Sequence, residues 1–144
     1  MCRQTMKSAV LIISLFVVVT FVSNAASKLG VFYTLCEISK GQFTKYVKVG
    51  KTSEDNIKRR LSNEKAGNPR LLRYNHVYFC NTEDIAISAE SDAKGELGKL
   101  QANLGGGTEW YHTPNLDIYK IFENVIDTVS KKYSCSLAGQ KTCV

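Results

Sequence analysis

The sequence has no C-x-x-C pair and only two histidines, neither of which lies near a cysteine at zinc-finger spacing. A zinc site built from its five cysteines is therefore disfavoured. The sequence has no internal repeat, and its only low-complexity stretches are an apolar N-terminal run and the glycines at residues 105–107. No cysteine follows the apolar run where a lipoprotein would be cleaved, so we expect no lipid anchor.

The first 25 residues have the pattern of a secretory signal. Residues 1–7 are short and basic, residues 8–22 are almost wholly apolar, and Ser23 and Ala25 are small where a signal peptidase reads the chain. The alternative is an uncleaved transmembrane anchor, but the apolar run is at the lower end of the roughly 17 to 25 residues that span a bilayer. The small residues favour cleavage after Ala25, which predicts a secreted or periplasmic protein without stable membrane association.

Cleavage after Ala25 leaves 119 of the 144 residues, a length that suits one domain, which we place at residues 26–133. The formal net charge of +6 falls to +4 once Arg3 and Lys7 are removed. An excess of this size permits binding to a polyanion, but it is equally consistent with ordinary solubility. The charge by itself does not choose a function.

Four cysteines follow the predicted signal, an even number that indicates two disulfides in an exported chain. They allow three pairings. We favour Cys135 with Cys143, because the residues between them include Gly139 and can fold back as a short loop. This closes residues 134–144 as a C-terminal tail and leaves Cys36 to pair with Cys80.

Alternation of apolar residues predicts three β-strands, at residues 30–38, 45–50 and 71–80. Residues 39–42 form a turn, so the first two strands make a hairpin. Within this hairpin Tyr33 and Lys48 fall on the same face, which we expect to be polar.

Two helices are predicted on either side of the third strand. The first is capped by Thr52 or Ser53 and carries Arg60. The second begins at Thr82, and its apolar residues follow helical spacing as far as residue 104. Glu90 lies in the middle of this helix, beside a face lined by alanines.

A third helix is predicted to open at Pro114, with Thr113 as its cap. The pattern as a whole is typical of an α+β fold. We expect a small three-stranded antiparallel sheet flanked by about three helices.

Six short motifs follow one another along residues 31–111. They are Val31-Phe32-Tyr33, Lys48-Val49-Gly50, an arginine on the next helix, Gly67-Asn68-Pro69, a mid-helix glutamate and Glu109-Trp110-Tyr111. In this order they resemble the GIY-YIG nuclease superfamily. The resemblance is closest to its phage- and fungal-type branch, in which the second motif reads K-I-G-K-T and the domain closes on a G-E-W-F-like element.

The resemblance implies catalytic roles for four positions. Tyr33 stands where the family keeps a tyrosine that helps to orient or deprotonate the attacking water, and Lys48 stands where this branch commonly has lysine. Arg60, or Arg59 if the loop is aligned one residue shorter, matches the arginine that steadies the pentavalent phosphate. Glu90 matches the single carboxylate that holds the divalent metal, usually magnesium.

The same resemblance, together with neighbouring side chains, indicates a substrate-binding surface. Its candidate residues are Lys51, Arg59, Asn68, Trp110 and His112. Two positions depart from the family pattern. Val31 replaces the first glycine of the leading motif, and Lys94 stands about where this branch often carries a histidine, one turn beyond the glutamate.

The chemistry of these residue types agrees with the resemblance. Phosphodiester cleavage needs an activated water and stabilisation of charge on the non-bridging oxygens. Glu90 suits a hard cation that keeps most of its waters, and Arg60 offers a planar, permanently charged fork to phosphate. Tyr33 is a poor base at its reference pKa of about 10, so a role as base requires Lys48 or the metal to lower that value.

We therefore predict an exported, divalent-metal-dependent endonuclease that hydrolyses DNA with little sequence preference, because one small domain leaves no room for a recognition module. The alternative is a catalytically inactive secreted effector of the same fold that binds nucleic acid or another partner. The surroundings of the Glu90 carboxylate distinguish these two predictions. A carboxylate that shares a cleft with Arg60 and Tyr33 favours the enzyme, whereas one held in a buried salt bridge favours the binding protein.

Overall fold

The computed structural model describes residues 27–66, 71–102 and 109–144. The predicted signal sequence at residues 1–25, the glycines at residues 105–107 and the substrate-binding candidate Asn68 lie outside these ranges.

One antiparallel sheet contains five strands in the described part of the chain. The strands are β1 (Gly30–Ser39), β2 (Gln42–Ser53), β3 (Leu71–Cys80), β4 (Trp110–His112) and β5 (Ser136–Gln140). Their order across the sheet is β4-β2-β1-β3-β5, so the three predicted strands form its centre.

The sheet has two more strands than predicted, and both are edge strands. β4 has three residues and pairs with residues 46–48 of β2. β5 pairs with β3 in a segment where the sequence suggests a loop, and all five of its residues are exposed. A strand this short, or this exposed, leaves no alternating apolar pattern. It forms because the neighbouring strand offers unpaired backbone groups at its edge.

The described residues include three α-helices, as expected. They are α1 (Ile57–Lys65), α2 (Glu83–Glu96) and α3 (Leu116–Lys132). α2 is shorter than the apolar spacing predicts and ends one residue after Gly95, a poor helix former. No helix in the described ranges is long and apolar enough to cross a membrane.

The helix starts agree with the sequence at one of three places. α2 begins at Thr82 as predicted, and Thr82 caps it, because its side chain accepts a hydrogen bond from the backbone of the first turn. α1 begins later than predicted because a 3₁₀ turn, Glu54–Asn56, precedes it. Asn115, not Thr113, caps α3, since the hydroxyl of Thr113 is already bonded to the carbonyl of Lys45.

Helices pack on both faces of the sheet. The core beneath α2 and α3 includes Phe32, Val47, Val49, Tyr78, Ala86, Ala89, Ala93, Phe122 and Ile126. The core beneath α1 includes Val31, Tyr33, Leu35, Leu72 and Trp110, with Ile57 and Leu61 from the helix. Tyr33 and Lys48 share the α1 face as predicted, but both are buried, so this face is not the polar one expected.

Two disulfides link the four cysteines of the described residues, but the favoured pairing is wrong. Cys36 is bonded to Cys143, and Cys80 is bonded to Cys135. β5 begins beside the last residues of β3, which brings Cys135 to Cys80. It then runs antiparallel back along β3, which carries Cys143 towards Cys36. The two disulfides are consistent with an oxidising extracellular or periplasmic environment.

Candidate active site

The site starts from the close approach of β1 and β2. Tyr33 pairs with Gly50 across these strands, and its phenol ring lies over the glycine. A Cβ at position 50 would be 2.5 Å from Cζ and 2.6 Å from the hydroxyl oxygen of Tyr33. The Tyr33 ring also packs against Tyr74 in a T-shaped arrangement, with 5.4 Å between ring centroids and 84° between planes. The phenol is therefore held in one position from two sides.

α1 brings Arg60 to the hydroxyl of Tyr33. Nε of Arg60 donates a hydrogen bond to this oxygen at 3.2 Å, and it lies 3.1 Å from Oε1 of Glu64, one turn further along the helix. Both contacts use Nε, so the terminal nitrogens of the guanidinium take no part in them. The Arg60 side chain is 43% exposed. The arginine is thus oriented by two partners and still reachable from solvent.

Lys48 lies deeper, between two carboxylates. Its Nζ is 2.6 Å from Oε2 of Glu64 and 3.3 Å from Oε2 of Glu109, and it lies 5.8 Å from the centre of the Trp110 ring. Only 7% of the Lys48 side chain is exposed. A buried ammonium needs partners of this kind, because its loss of hydration is otherwise uncompensated.

Glu90 reaches the same group of charges from the opposite face of the sheet. Its Oε1 lies 3.2 Å from Nζ of Lys94, one turn further along α2, and the Glu90 side chain is 13% exposed. The same ammonium lies 3.2 Å from Oε1 of Glu109. Glu109 immediately precedes the edge strand β4, and it therefore joins the charges of the two faces around that edge.

These contacts form one continuous row, which we call the charge chain. Its members, in order of contact, are Tyr33, Arg60, Glu64, Lys48, Glu109, Lys94 and Glu90. Cations and carboxylates alternate along it. All four predicted catalytic residues belong to this row, but the contacts from Arg60 to Glu90 run through four residues, Glu64, Lys48, Glu109 and Lys94.

Burial and neighbouring charges set the protonation of the charge chain. Burial raises the pKa of Tyr33, and the hydrogen bond from Arg60 only partly offsets this, so the phenol stays neutral at physiological pH. This direction is the opposite of what a general base requires. Burial disfavours the charge of Lys94, but hydrogen bonds and attraction from Glu109 and Glu90 outweigh it and raise its pKa.

Glu109 responds to its partners in the corresponding way. Burial would raise the pKa of its carboxyl group, but the hydrogen bond and attraction of Lys94, with those of Lys48, lower it overall. Glu109 therefore remains a carboxylate, and its negative charge holds both lysines in place.

The arrangement of Glu90 does not fit a divalent cation as it stands. The ammonium of Lys94 already lies between Glu90 and Glu109, at 3.2 Å from each. Within the described ranges, no group of three histidine, cysteine, aspartate or glutamate side chains is placed to hold a metal ion. The magnesium requirement and the role of Glu90 as its ligand therefore stay predictions from the resemblance.

Arg60 also lines a polar cavity of about 280 Å³. The other residues around it are Lys51, Thr52, Ser53, Asn56 and Glu83. The cavity brings Lys51, a predicted substrate-binding residue, to the same opening as Arg60. Its lining offers a ligand the positive charges of Lys51 and Arg60 and two hydroxyl groups, together with one carboxylate, Glu83.

The remaining candidates lie at different depths. Arg59 is exposed on α1, so Arg60 is the arginine that contacts Tyr33. Trp110 is 7% exposed and packs in the core beneath α1. His112 is exposed at the end of β4, and its ring stacks on Tyr46 with 4.9 Å between centroids. Of these three, only Arg59 and His112 are positioned to meet a ligand at the surface.

Sequence reasoning missed Glu64, which links Arg60 to Lys48. The spacing of four residues between Arg60 and Glu64 is a signal of an ion pair along one helix face. This spacing does not reveal the contact between Glu64 and Lys48, because Lys48 lies on β2 and its partner lies on α1.

No family model, curated protein or solved structure matches this chain. The resemblance to the GIY-YIG superfamily therefore depends on the order of the motifs, and the family stays a prediction.

Proposed function

We propose that this chain is an exported endonuclease that hydrolyses DNA phosphodiester bonds with little sequence preference. The observation that carries the proposal is the hydrogen bond between Arg60 and Tyr33, at 3.2 Å. It joins the residues of two separate motifs at the edge of a polar cavity. The resemblance implies a catalytic role for each of these two positions.

In this proposal Arg60 is the group that binds phosphate. A guanidinium donates two parallel hydrogen bonds to phosphate oxygens and keeps its charge as negative charge develops on them. Tyr33 and Glu64 fix its orientation through Nε, and neither contact uses the terminal nitrogens that would donate to phosphate. Lys51, which lines the same cavity, adds a second positive charge for the strand.

We assign no step of the reaction to a metal, because Lys94 holds the carboxylate predicted to bind it. A neutral Tyr33 serves in this proposal as the partner that positions Arg60. No residue is therefore assigned to the activation of the attacking water. Comparing magnesium with EDTA in the assay shows whether this activation requires a divalent ion.

The test is nicking of a supercoiled plasmid by the oxidised mature protein, in magnesium and separately in EDTA. We expect Arg60→Lys to lower the nicking rate about 100-fold, the cost of losing a charge-stabilising donor, since lysine lacks the planar fork. Lys58→Gln, an exposed change on the same helix, is the control and should leave the rate unchanged. A wild-type protein that nicks in neither buffer, or an Arg60→Lys variant of undiminished rate, would remove the proposal.

A second candidate is a catalytically silent secreted effector on the same fold that binds nucleic acid or another partner. The ion pair of Glu90 with Lys94 favours it, because this mostly buried pair occupies the predicted metal-binding carboxylate. Fluorescence anisotropy with a labelled duplex separates the two candidates. Salt-dependent binding without nicking in either buffer would establish the silent module, and Arg60→Gln should weaken that binding.

A further inference from the structure

We propose that Lys94 is a built-in cation that takes the place of the divalent metal predicted at Glu90, so that the native chain does not bind a divalent ion there. The inference deepens the proposed function, and it takes Glu90 as the metal-binding position from the same family resemblance on which that function rests. It concerns the state of the site in the native protein. Binding of a divalent ion at Glu90 and cleavage of DNA are measured separately.

The ammonium of Lys94 occupies the position that a bound metal ion would need. Nζ of Lys94 lies 3.2 Å from Glu90 and 3.2 Å from Glu109, so it bridges the two carboxylates. A small dication held by these same oxygens would have to lie in the space that the ammonium occupies. Glu90 and Lys94 are one turn apart on α2, which makes their contact a local property of the helix.

The positive charge of Lys94 also opposes a second cation at this position. A dication beside Glu90 would lie within a few ångströms of the Lys94 ammonium, in a site that is mostly screened from water. Repulsion between like charges is strong at such distances and at low local dielectric. The metal and the charged lysine therefore exclude each other.

The remaining ligands show what removal of Lys94 would leave. Glu90 and Oε1 of Glu109 would lose their cation, while Oε2 of Glu109 would keep Lys48 at 3.3 Å. One or two carboxylates with several waters are the usual ligands of magnesium. The neutral variant Lys94→Met should thus acquire the divalent-ion site that the native chain lacks.

Trp110 provides a reporter close to this position. It is the single tryptophan of the chain, and its ring lies 5.8 Å from Nζ of Lys48, which in turn contacts Glu109. A terbium ion bound by Glu90 and Glu109 would accept excitation energy from the indole. Terbium luminescence therefore reads out occupancy without any need for cleavage.

The experiment titrates terbium chloride into the oxidised mature protein and then displaces the ion with magnesium. Wild type and Lys94→Arg, which keeps the charge, should give no saturable signal. Lys94→Met should give a saturable signal, with a terbium affinity at least tenfold above the upper limit set by wild type, and Lys94→Met/Glu90→Gln should lose that gain. Lys99→Met, the same substitution at an exposed lysine beyond α2, is the matched control and should behave as wild type.

Two results would overturn the inference. One is tight, magnesium-displaceable terbium binding by wild type that Glu90→Gln abolishes, which requires no folded Lys94 variant. The other is a folded Lys94→Met or Lys94→Gln protein, checked by near-ultraviolet circular dichroism, that binds no better than wild type. If wild type excludes terbium and nicks no plasmid, the inference stands and the proposed nuclease fails. If wild type binds terbium through Glu90 and nicks only in magnesium, the inference fails and the proposed nuclease stands.

Discussion

Tyr33 and Gly50 face each other across β1 and β2, and the phenol ring occupies the space that any side chain at position 50 would need. This contact places the Tyr33 hydroxyl where Arg60 can donate to it. Gly50, the glycine of the Lys48-Val49-Gly50 motif, is therefore required for the packing of the Tyr33 ring.

Gly50→Ala should destabilise the protein by about 1–3 kcal/mol, the usual effect of overpacking a filled core. The new methyl group would be 2.5 Å from Cζ of Tyr33, and the ring has no room to retreat because Tyr74 packs against it. Urea unfolding measures the change in the free energy of unfolding. An unchanged midpoint would show that the ring can move.

Gly95→Ala provides the contrasting case. Nothing lies within 4 Å of a Cβ built at this position, which is in the last turn of α2. The substitution should stabilise the protein by about 0.5–1 kcal/mol, because alanine loses less backbone entropy in a helix than glycine does. The same urea titration checks the sign, and a loss of stability would show that the end of α2 needs glycine.

The buried pair of Lys48 and Glu64 should matter far more for stability than an exposed pair. Lys48→Met should cost about 1–3 kcal/mol, since it leaves an oxygen of Glu64 without a partner in a mostly buried place. Lys131→Met removes an exposed partner of Asp127 and should change stability by less than about 0.5 kcal/mol. Equal effects of the two changes would contradict the burial argument. A double variant, Lys48→Met/Glu64→Gln, should recover part of the loss.

Each disulfide should contribute about 2–5 kcal/mol to stability under the chain-entropy model. Cys36→Ser/Cys143→Ser opens the longer crosslink, whose cysteines have a sequence separation of 107, and Cys80→Ser/Cys135→Ser opens one with a separation of 55. The first change should cost slightly more. Peptide mapping without reduction checks the pairing directly, and a fragment that joins Cys135 to Cys143 would contradict it.

Stability should fall as the pH drops through 6.5, because of His76. Burial lowers the pKa of this ring from 6.5, although Glu123 and Asp127 on α3 act in the opposite direction. The unfolded chain then takes up the proton at a higher pH than the folded chain does. The folded state is thus favoured above pH 6.5 and loses that advantage as the pH falls below it.

Urea midpoints between pH 7.5 and 5.5 test this prediction. His76→Gln should flatten the curve, whereas His112→Gln, at an exposed ring, should keep the slope of wild type. The His76 ring lies 3.2 Å from the hydroxyl of Thr34 and 3.1 Å from the side-chain nitrogen of Gln140, so its loss also weakens the β3–β5 contact at every pH. The slope is therefore the decisive readout. A wild-type curve with no slope in this range would contradict the prediction.

The local parts of the fold were predictable because their causes lie within a few residues. The alternation of β1 and β2 places Tyr33 and Lys48 on one face, and the cap at Thr82 starts α2 where expected. The non-local parts were not predictable. Residues 136–140 become a strand only because β3 offers them an edge, and this docking decides the disulfide pairing.

The candidate site divides in the same way. The sequence by itself determined which residue types are present, their order and the faces on which strand residues lie, because periodicity is a property of neighbouring residues. Only the tertiary structure decided that Glu64 joins Arg60 to Lys48 and that Lys94 bridges Glu90 to Glu109. The physical reason is that charges from different elements choose partners by distance and burial, and both quantities exist only after the helices have packed on the sheet.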